Sequence, residues 1–335
     1  MIDVLLPFHR YDKFFMAAVN SVYSSKSIGI RLILIDDRSD QSIKLNKIET
    51  NGNQLEVLQT SGGSGYGKAL ELGTSVLQND FVGLMNSDDL VHDSRFINQI
   101  QALDNYDLSL TGIESISSQG RKLYSLLGEN HFIRYSPKYL LFGSYGANAT
   151  WSMSREWWNQ NSFFDSLPCL DWRIAMKTFP HSRIKYVPET RYFYRKHTHQ
   201  ITKNILEYEE MNPVYEDWKQ LCDYFGITSS SRENFDLIAT PWLRNKVRSR
   251  KELNIFISEI NKAEFNEDHL IKPEIDNLIR KRVIFSVSNS RIPILIKLKI
   301  IKDNFKDFLE VVYKFLSNFS VQKYEKIQIY FYGRK

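Results

Sequence analysis

Cysteine is nearly missing: two residues among 335, Cys169 and Cys222, far apart in the chain. That excludes a disulfide framework and any cysteine-based zinc spacing, and makes a reducing compartment the simpler expectation. Long apolar runs are missing too. No window approaches the ~18 uninterrupted apolar residues of a membrane-spanning helix. The opening Met1-Ile2-Asp3-Val4-Leu5-Leu6-Pro7 lacks the basic start and long apolar stretch of a secretion signal. Cytoplasmic placement is the expectation. Surplus charge is small, +5 from 44 Lys and Arg against 39 Asp and Glu. It does not argue for nucleic acid, but suits a small anionic substrate or an anionic membrane surface. Internal repeats and low-complexity linkers are absent, so a solenoid or a long flexible tether is excluded.

What is present fits a folded protein with a sizeable core: 42% hydrophobic and 25% charged residues. Ile2 to Pro7 and Arg31 to Ile35 read as buried parallel strands, short, rich in Val, Leu and Ile, and cut off by polar residues. Between them Phe14, Phe15, Ala18, Val19 and Val22 recur at helical spacing over Phe14 to Tyr23. Strand, helix, strand makes a parallel βαβ unit. Leu55 to Leu58 predicts a third strand, Ser61 to Gly67 a flexible loop, Lys68 to Leu77 a helix, and Phe81 to Met85 a fourth strand. The alternation predicts an α/β fold with an open, mostly parallel sheet and flanking helices. Beyond residue 205 the pattern turns helical, at Glu207 to Phe225, Ser249 to Ala263 and Pro273 to Ser286. The expected division is a catalytic part at 1–205 and a mainly helical part at 206–335.

Ligands of open α/β sheets bind beyond the carboxyl ends of the strands. His9, Arg10, Asp36, Asp37, Asp88 and Asp89 all fall just past such an end. Asp36, adjacent to its strand, suits a ribose or nucleobase N–H. Asp37, Ser39 and Asp40 fit a ligand or a simple turn equally well. Asn86-Ser87-Asp88-Asp89 puts two carboxylates at a strand end after a Gly-rich loop, a hard-oxygen site for Mg2+ or Mn2+.

Leu6-Pro7-Phe8-His9-Arg10, the Ala17 to Ser25 helix and Leu34-Ile35-Asp36-Asp37-Arg38-Ser39-Asp40 resemble the opening of family-2 glycosyltransferases. Gly63 to Gly73 with Lys68 is similar to that family's Gly-rich segment, and Asn86-Ser87-Asp88-Asp89 to its Asp-x-Asp motif. The resemblance spans roughly residues 1 to 200 and is of the bacterial surface-polysaccharide type. It implies the GT-A fold, a nucleotide-diphosphate sugar donor, most often a UDP-sugar, and an inverting transfer in polysaccharide biosynthesis. The acceptor would be a hydroxyl of a glycan or lipid-linked oligosaccharide. Carried over by position, Asp36 contacts the nucleobase, Pro7, His9 and Lys68 lie near the nucleoside, and Ser87 lies with the donor. Asp88 is the first metal ligand and Asp89 the next. Leu170-Asp171 resembles the acidic pair that opens the acceptor-side helix, which makes Asp171 the general base. Tyr192-Phe193-Tyr194-Arg195-Lys196-His197 resembles the ending of the catalytic region, which implies Arg195 or His197 on the diphosphate and His197 as a candidate to complete the metal shell. The chain departs from the family at Arg38 (usually Gly), Glu71 (often Asn), Asn86 (Asp) and Leu170 (acidic).

Two competitors are weighed. A nucleotidyltransferase would carry its Gly-rich basic loop after the first strand, where this chain has Phe8-His9-Arg10-Tyr11. A catalytically degenerate nucleotide-binding scaffold of the same fold stays open because of the altered motifs. The tail from Arg291 to Lys335 holds ten Lys and Arg against four Asp and Glu. Peripheral contact with the inner face of the cell membrane, homo-oligomer contact and plain packing all remain open for it.

Overall fold

The computed structural model describes residues 1–10, 13–39, 48–63, 65–125, 140–141, 143, 148–165, 167, 169–197, 211–238, 255 and 258–260. A strand covered on both faces must be apolar nearly throughout. Accordingly β1 (Ile2–Phe8) and β2 (Ile30–Asp36) are buried at all seven positions, and they pair in parallel from Ile2 opposite Ile30 to Phe8 opposite Asp36. α1 (Phe15–Tyr23) connects them. β3 (Gln54–Gln59) joins β2 in parallel, α2 spans Gly65–Thr74, and β4 (Phe81–Leu84) joins the other side of β1, also in parallel.

Strand side chains alternate between faces, and the two helices use that alternation. Ile2, Val4, Leu6 and Phe8 of β1 pack with Phe15, Ala18, Val19 and Val22 of α1. The odd face receives α2: a β-carbon on Gly73 would fall 2.5 Å from Ile35 Cδ1 and 3.0 Å from Leu5 Cδ2. Only glycine lets the helix approach that closely. Pro7 sits in a central strand because the ladder to β4 ends at Leu5 opposite Leu84, below the position that lacks an N–H.

The second half of the sheet is mixed. β5 (Leu90–Val91), β6 (Leu108–Ser117), β7 (Lys122–Ser125), β8 (Trp151–Ser154) and β9 (Ile184–Lys196) complete nine strands among the described residues, in the order β3-β2-β1-β4-β8-β6-β9-β5, with β7 beside β6. β8 is antiparallel to β4 and β6, whereas β9 is parallel to β6. The expected parallel sheet therefore holds for β3-β2-β1-β4, and the part beyond β4 is mixed. α3 (Arg95–Ala102), α4 (Arg155–Asn161) and α5 (Leu170–Thr178) flank this half. Arg95 is fully buried and donates to Leu84 O (3.1 Å) and Trp151 O (3.3 Å), two carbonyls just past the β4–β8 register.

The chain divides into two compact units, one of Met1–Leu140 and Ser144–Asp217, the other of Leu141–Gly143 and Trp218–Lys335. The division falls inside α6 (Asn212–Tyr224). In the second unit Trp218 donates to Leu141 O and packs edge-on against Phe235 of α7 (Arg232–Ile238). The carboxylate of Glu259 there accepts from Thr228 and Ser229. Of the predicted 249–263 helix, residues 255 and 258–260 are helical. The rest of that segment, the 273–286 helix and the basic tail lie outside the described residues. Among the described residues no helix is long and apolar enough to cross a membrane.

Candidate active site

Strand ends and the start of one helix deliver the site. At the end of β2 two adjacent carboxylates part company. Asp36 Oδ1 accepts from Ser39 N at 2.6 Å, while its Oδ2 makes only a long 3.4 Å contact with Gln59 Nε2. Asp37 is engaged on both oxygens, Oδ1 by Thr60 Oγ1 at 2.6 Å and Oδ2 by Gly65 N at 2.9 Å. A carboxylate on the first N–H of a helix caps it and favours its dipole. Asp37 therefore sets where α2 begins. His9 leaves the end of β1 and its Nδ1 lies 2.8 Å from Asp37 O. Arg38 follows with φ 55°, in the left-handed region. This explains why the family pattern favours glycine there.

At the end of β4 the second pair separates the same way. Asp88 is partly exposed, and its Oδ2 lies 2.9 Å from Nε2 of His197, 109 positions later and just past β9. Asp89 is fully buried. Its Oδ2 accepts from Tyr192 OH at 2.5 Å and from Asn86 Nδ2 at 3.3 Å, and its Oδ1 from Arg195 N at 2.7 Å. Burial, then the Asp88 carboxylate, push the Asp89 carboxyl upward, against the pull of those three donors. Burial and the Asp89 and Asp88 carboxylates raise the Tyr192 phenol as well. Arg195 donates from Nε to Asp88 O at 2.8 Å, and from its Nη1 to the carbonyls of Ser117 and Ser118. Its guanidinium lies 4.8 Å from the centre of the Phe14 ring, and His197 packs on the same ring at 5.0 Å.

The third contribution comes from the start of α5. Asp171 lies in its first turn, and its Oδ1 accepts from Trp172 N at 2.8 Å. Tyr66, in the first turn of α2, accepts a hydrogen bond from Asn148 Nδ2 at 2.9 Å. Burial and then the nearby Asp171 carboxylate raise its phenol, which stays protonated. Cys169, left-handed at φ 54°, is pushed up to about 12, by burial first and Asp171 second. A β-carbon on Gly67 would fall 2.1 Å from Asp165 O and 3.2 Å from Leu170 Cδ2. The Gly-rich turn is thus seated on the segment that leads into Asp171. Arg173, two residues on, holds Asp165 and Asp217 at 2.7 Å each.

Of the expected metal ligands, Asp88 and His197 come together and Asp89 turns to protein donors. Arg195, expected on a diphosphate, is buried and committed to backbone carbonyls and Phe14. Lys68 is half-exposed and pairs with Glu71 at 2.7 Å. Pro7 is buried in β1, and Ser87 lies in the β4 turn beside Asp88. The sequence reasoning missed Tyr192, Phe14, Tyr66 and Asn148. The available signal for Tyr192 was its place at the head of the Tyr192 to His197 segment that supplies Arg195 and His197. Among the described residues no group of three His, Cys, Asp or Glu side chains could hold a metal ion.

Residues 3–158 match the family described as Glycosyl transferase family 2. Among solved structures the chain is similar to S. aureus TarS 1-349 in complex with UDP-GlcNAc, at 17% identity and a TM-score of 0.55, over 86% of this chain and 87% of that one. The same protein in complex with UDP gives 16% identity and 0.53, over 92% and 88%. GalNAc-T7 with UDP, GalNAc and Mn2+ gives 13% and 0.52, over 78% and 54%. At these identities the likeness is one of fold, the GT-A arrangement. No curated protein sequence matches the chain.

Proposed function

We propose, from the match of residues 3–158 to glycosyl transferase family 2 and the GT-A likeness of the fold, that the chain transfers a sugar, with inversion, from a UDP-sugar to an acceptor hydroxyl. The acceptor is a glycan or lipid-linked oligosaccharide in polysaccharide biosynthesis. The observation that carries the reading is the Asp88–His197 pair, two ligand-type side chains brought within 2.9 Å from β4 and β9 at the carboxyl edge of the sheet.

A carboxylate and an imidazole fit Mn2+, and two protein ligands are enough for an ion that takes the rest of its shell from phosphate and water. When bound, such an ion neutralises charge on the diphosphate. The residues of the chain do the rest. Asp36 accepts an N–H or O–H of the nucleoside through Oδ2. Asp171 takes the proton of the acceptor hydroxyl as that oxygen attacks the anomeric carbon. The bond from that carbon to the diphosphate oxygen breaks on the opposite side, and UDP leaves. Asp89 and Arg195 position Asp88, through the Arg195 N–H and the Asp88 carbonyl. UDP is carried over from the TarS and GalNAc-T7 complexes.

A thermal-shift screen with UDP, GDP, CMP and dTDP, each with and without Mn2+, tests the donor site. UDP at ~100 times its Kd stabilises the fold by ~2.7 kcal/mol. The shift requires Mn2+ and disappears in Asp88→Ala. Asp171→Asn keeps the shift and loses sugar transfer; loss of both would remove Asp171 from the role of base.

A further inference from the structure

The donor reading gives Arg38, exposed just past the end of β2, no task. Arg38 occupies a left-handed position, φ 55°, where a β-carbon is disfavoured and where glycine would relax the backbone. The tight turn closed by Ser39 N on Asp36 Oδ1 places it beside Asp36. Its side chain extends across the Gly-rich loop. A β-carbon on Gly62 would fall 2.2 Å from Arg38 Cζ and Nε and 2.6 Å from Cδ, so the guanidinium lies against bare backbone. Gly62, at φ 129°, can supply that bare surface. The carboxylate acceptor and the guanidinium donors thus both belong to the turn that follows β2, with the guanidinium laid against the Gly62 loop that follows β3.

That juxtaposition has a chemical complement. A carboxylate takes an N–H, and a guanidinium gives to a carbonyl oxygen. Uracil and thymine present such an edge, N3–H flanked by carbonyls. Cytosine presents the opposite, a bare N3 acceptor beside an amino group, which would set acceptor against acceptor at Asp36 and donor against donor at Arg38. Resting on the donor-site reading above, we propose that Arg38 is a specificity-determining residue that, with Asp36, selects a nucleotide with an imide edge over cytidine nucleotides.

The test is calorimetric titration of the full chain with UDP, dTDP and CDP in saturating Mn2+, for the wild type, Arg38→Gly and Arg38→Ala. The wild type binds UDP and dTDP about tenfold or more tighter than CDP, the size of one hydrogen bond to a charged group. Both variants lose that tenfold for UDP and dTDP and bind CDP no more weakly than the wild type does. Arg38→Gly melts no lower than the wild type without ligand, because glycine relieves the left-handed residue, so misfolding does not mimic the result. Three outcomes overturn the inference: unchanged discrimination in the variants, UDP and CDP weakening alike as from a merely loosened loop, or an effect in Arg38→Gly absent from Arg38→Ala. A wild type that binds UDP without preferring it to CDP overturns it too, leaving the donor site intact. A wild type that binds no nucleotide sinks the donor site itself, and the inference with it.

Discussion

At the scale of single residues, the site turns on two pairs of adjacent aspartates whose members do different things. Asp36-Asp37 and Asp88-Asp89 look interchangeable in sequence, because a carboxylate reads the same whether its lone pairs are taken or not. Tertiary donors separate them. Thr60 and Gly65 claim Asp37; Tyr192 and the Arg195 N–H claim Asp89. None of these partners lies within three positions of the residue it holds, so local pattern carried no trace of them. Asp36 ends β2, so the run of Ile and Leu before it sets its place, whereas Asp88 lies four residues past the end of β4. Asp37→Ala should therefore lose about 3 kcal/mol of stability, two hydrogen bonds to a charged acceptor, by urea denaturation. Asp36→Ala should lose less stability and abolish the UDP-dependent thermal shift. If Asp36→Ala were the more destabilised of the two, the division of labour between them would be reversed.

At the scale of elements, β1 to β4 were legible because runs of Val, Leu and Ile bounded by turns leave little alternative. α2 was legible in kind but displaced: the spacing predicts Lys68 to Leu77, and the helix runs Gly65–Thr74. Its start is fixed by a carboxylate 28 residues upstream, and glycines that read as a flexible loop form its first turn. At its C-terminal side Val76 O accepts from Arg31, which leaves that carbonyl to the core instead of the helix. β6, β8 and β9 drew no assignment: Ser, Thr, Gly and Glu break up the apolar pattern of β6, β8 is only four residues long, and Pro188, Glu189 and Thr190 interrupt the pattern of β9. Gly67 shows what such glycines are for. Gly67→Ala places a methyl 2.1 Å from the Asp165 carbonyl, and backbone has to move. A loss of about 2 kcal/mol is expected from overpacking of that kind. Sugar transfer should fall further than UDP affinity, since the displaced segment leads into Asp171. Chemical denaturation with paired binding and turnover assays checks it; equal losses in binding and transfer would mean that the contact only supports the donor loop.

At the scale of the whole molecule, charge is divided unevenly along the chain. Residues 291–335 hold ten basic and four acidic side chains, which leaves residues 1–290 with 34 basic against 35 acidic. The positive surplus that suits an anionic partner therefore belongs to the tail, and the part with the donor site is close to neutral. A near-neutral domain suits the proposed donor site, where an ion on Asp88 and His197 would meet the diphosphate charge locally. A basic tail interleaved with Ile, Leu and Phe fits a surface rich in anionic lipid, at roughly 1 kcal/mol for each cation near it. That would bring the chain to where a lipid-linked acceptor resides. Flotation with vesicles of anionic phospholipid separates this from simple packing. The intact chain should float at low salt and be released at about 0.5 M salt, where screening shortens the reach of surface charge to a few ångströms. A chain truncated after residue 290 should stay with the soluble fraction and keep its UDP-dependent thermal shift. Equal recovery of both chains in the soluble fraction would assign the tail to protein contacts. Loss of the shift on truncation would make the tail part of the folded catalytic unit, with its lysines as a solvated face.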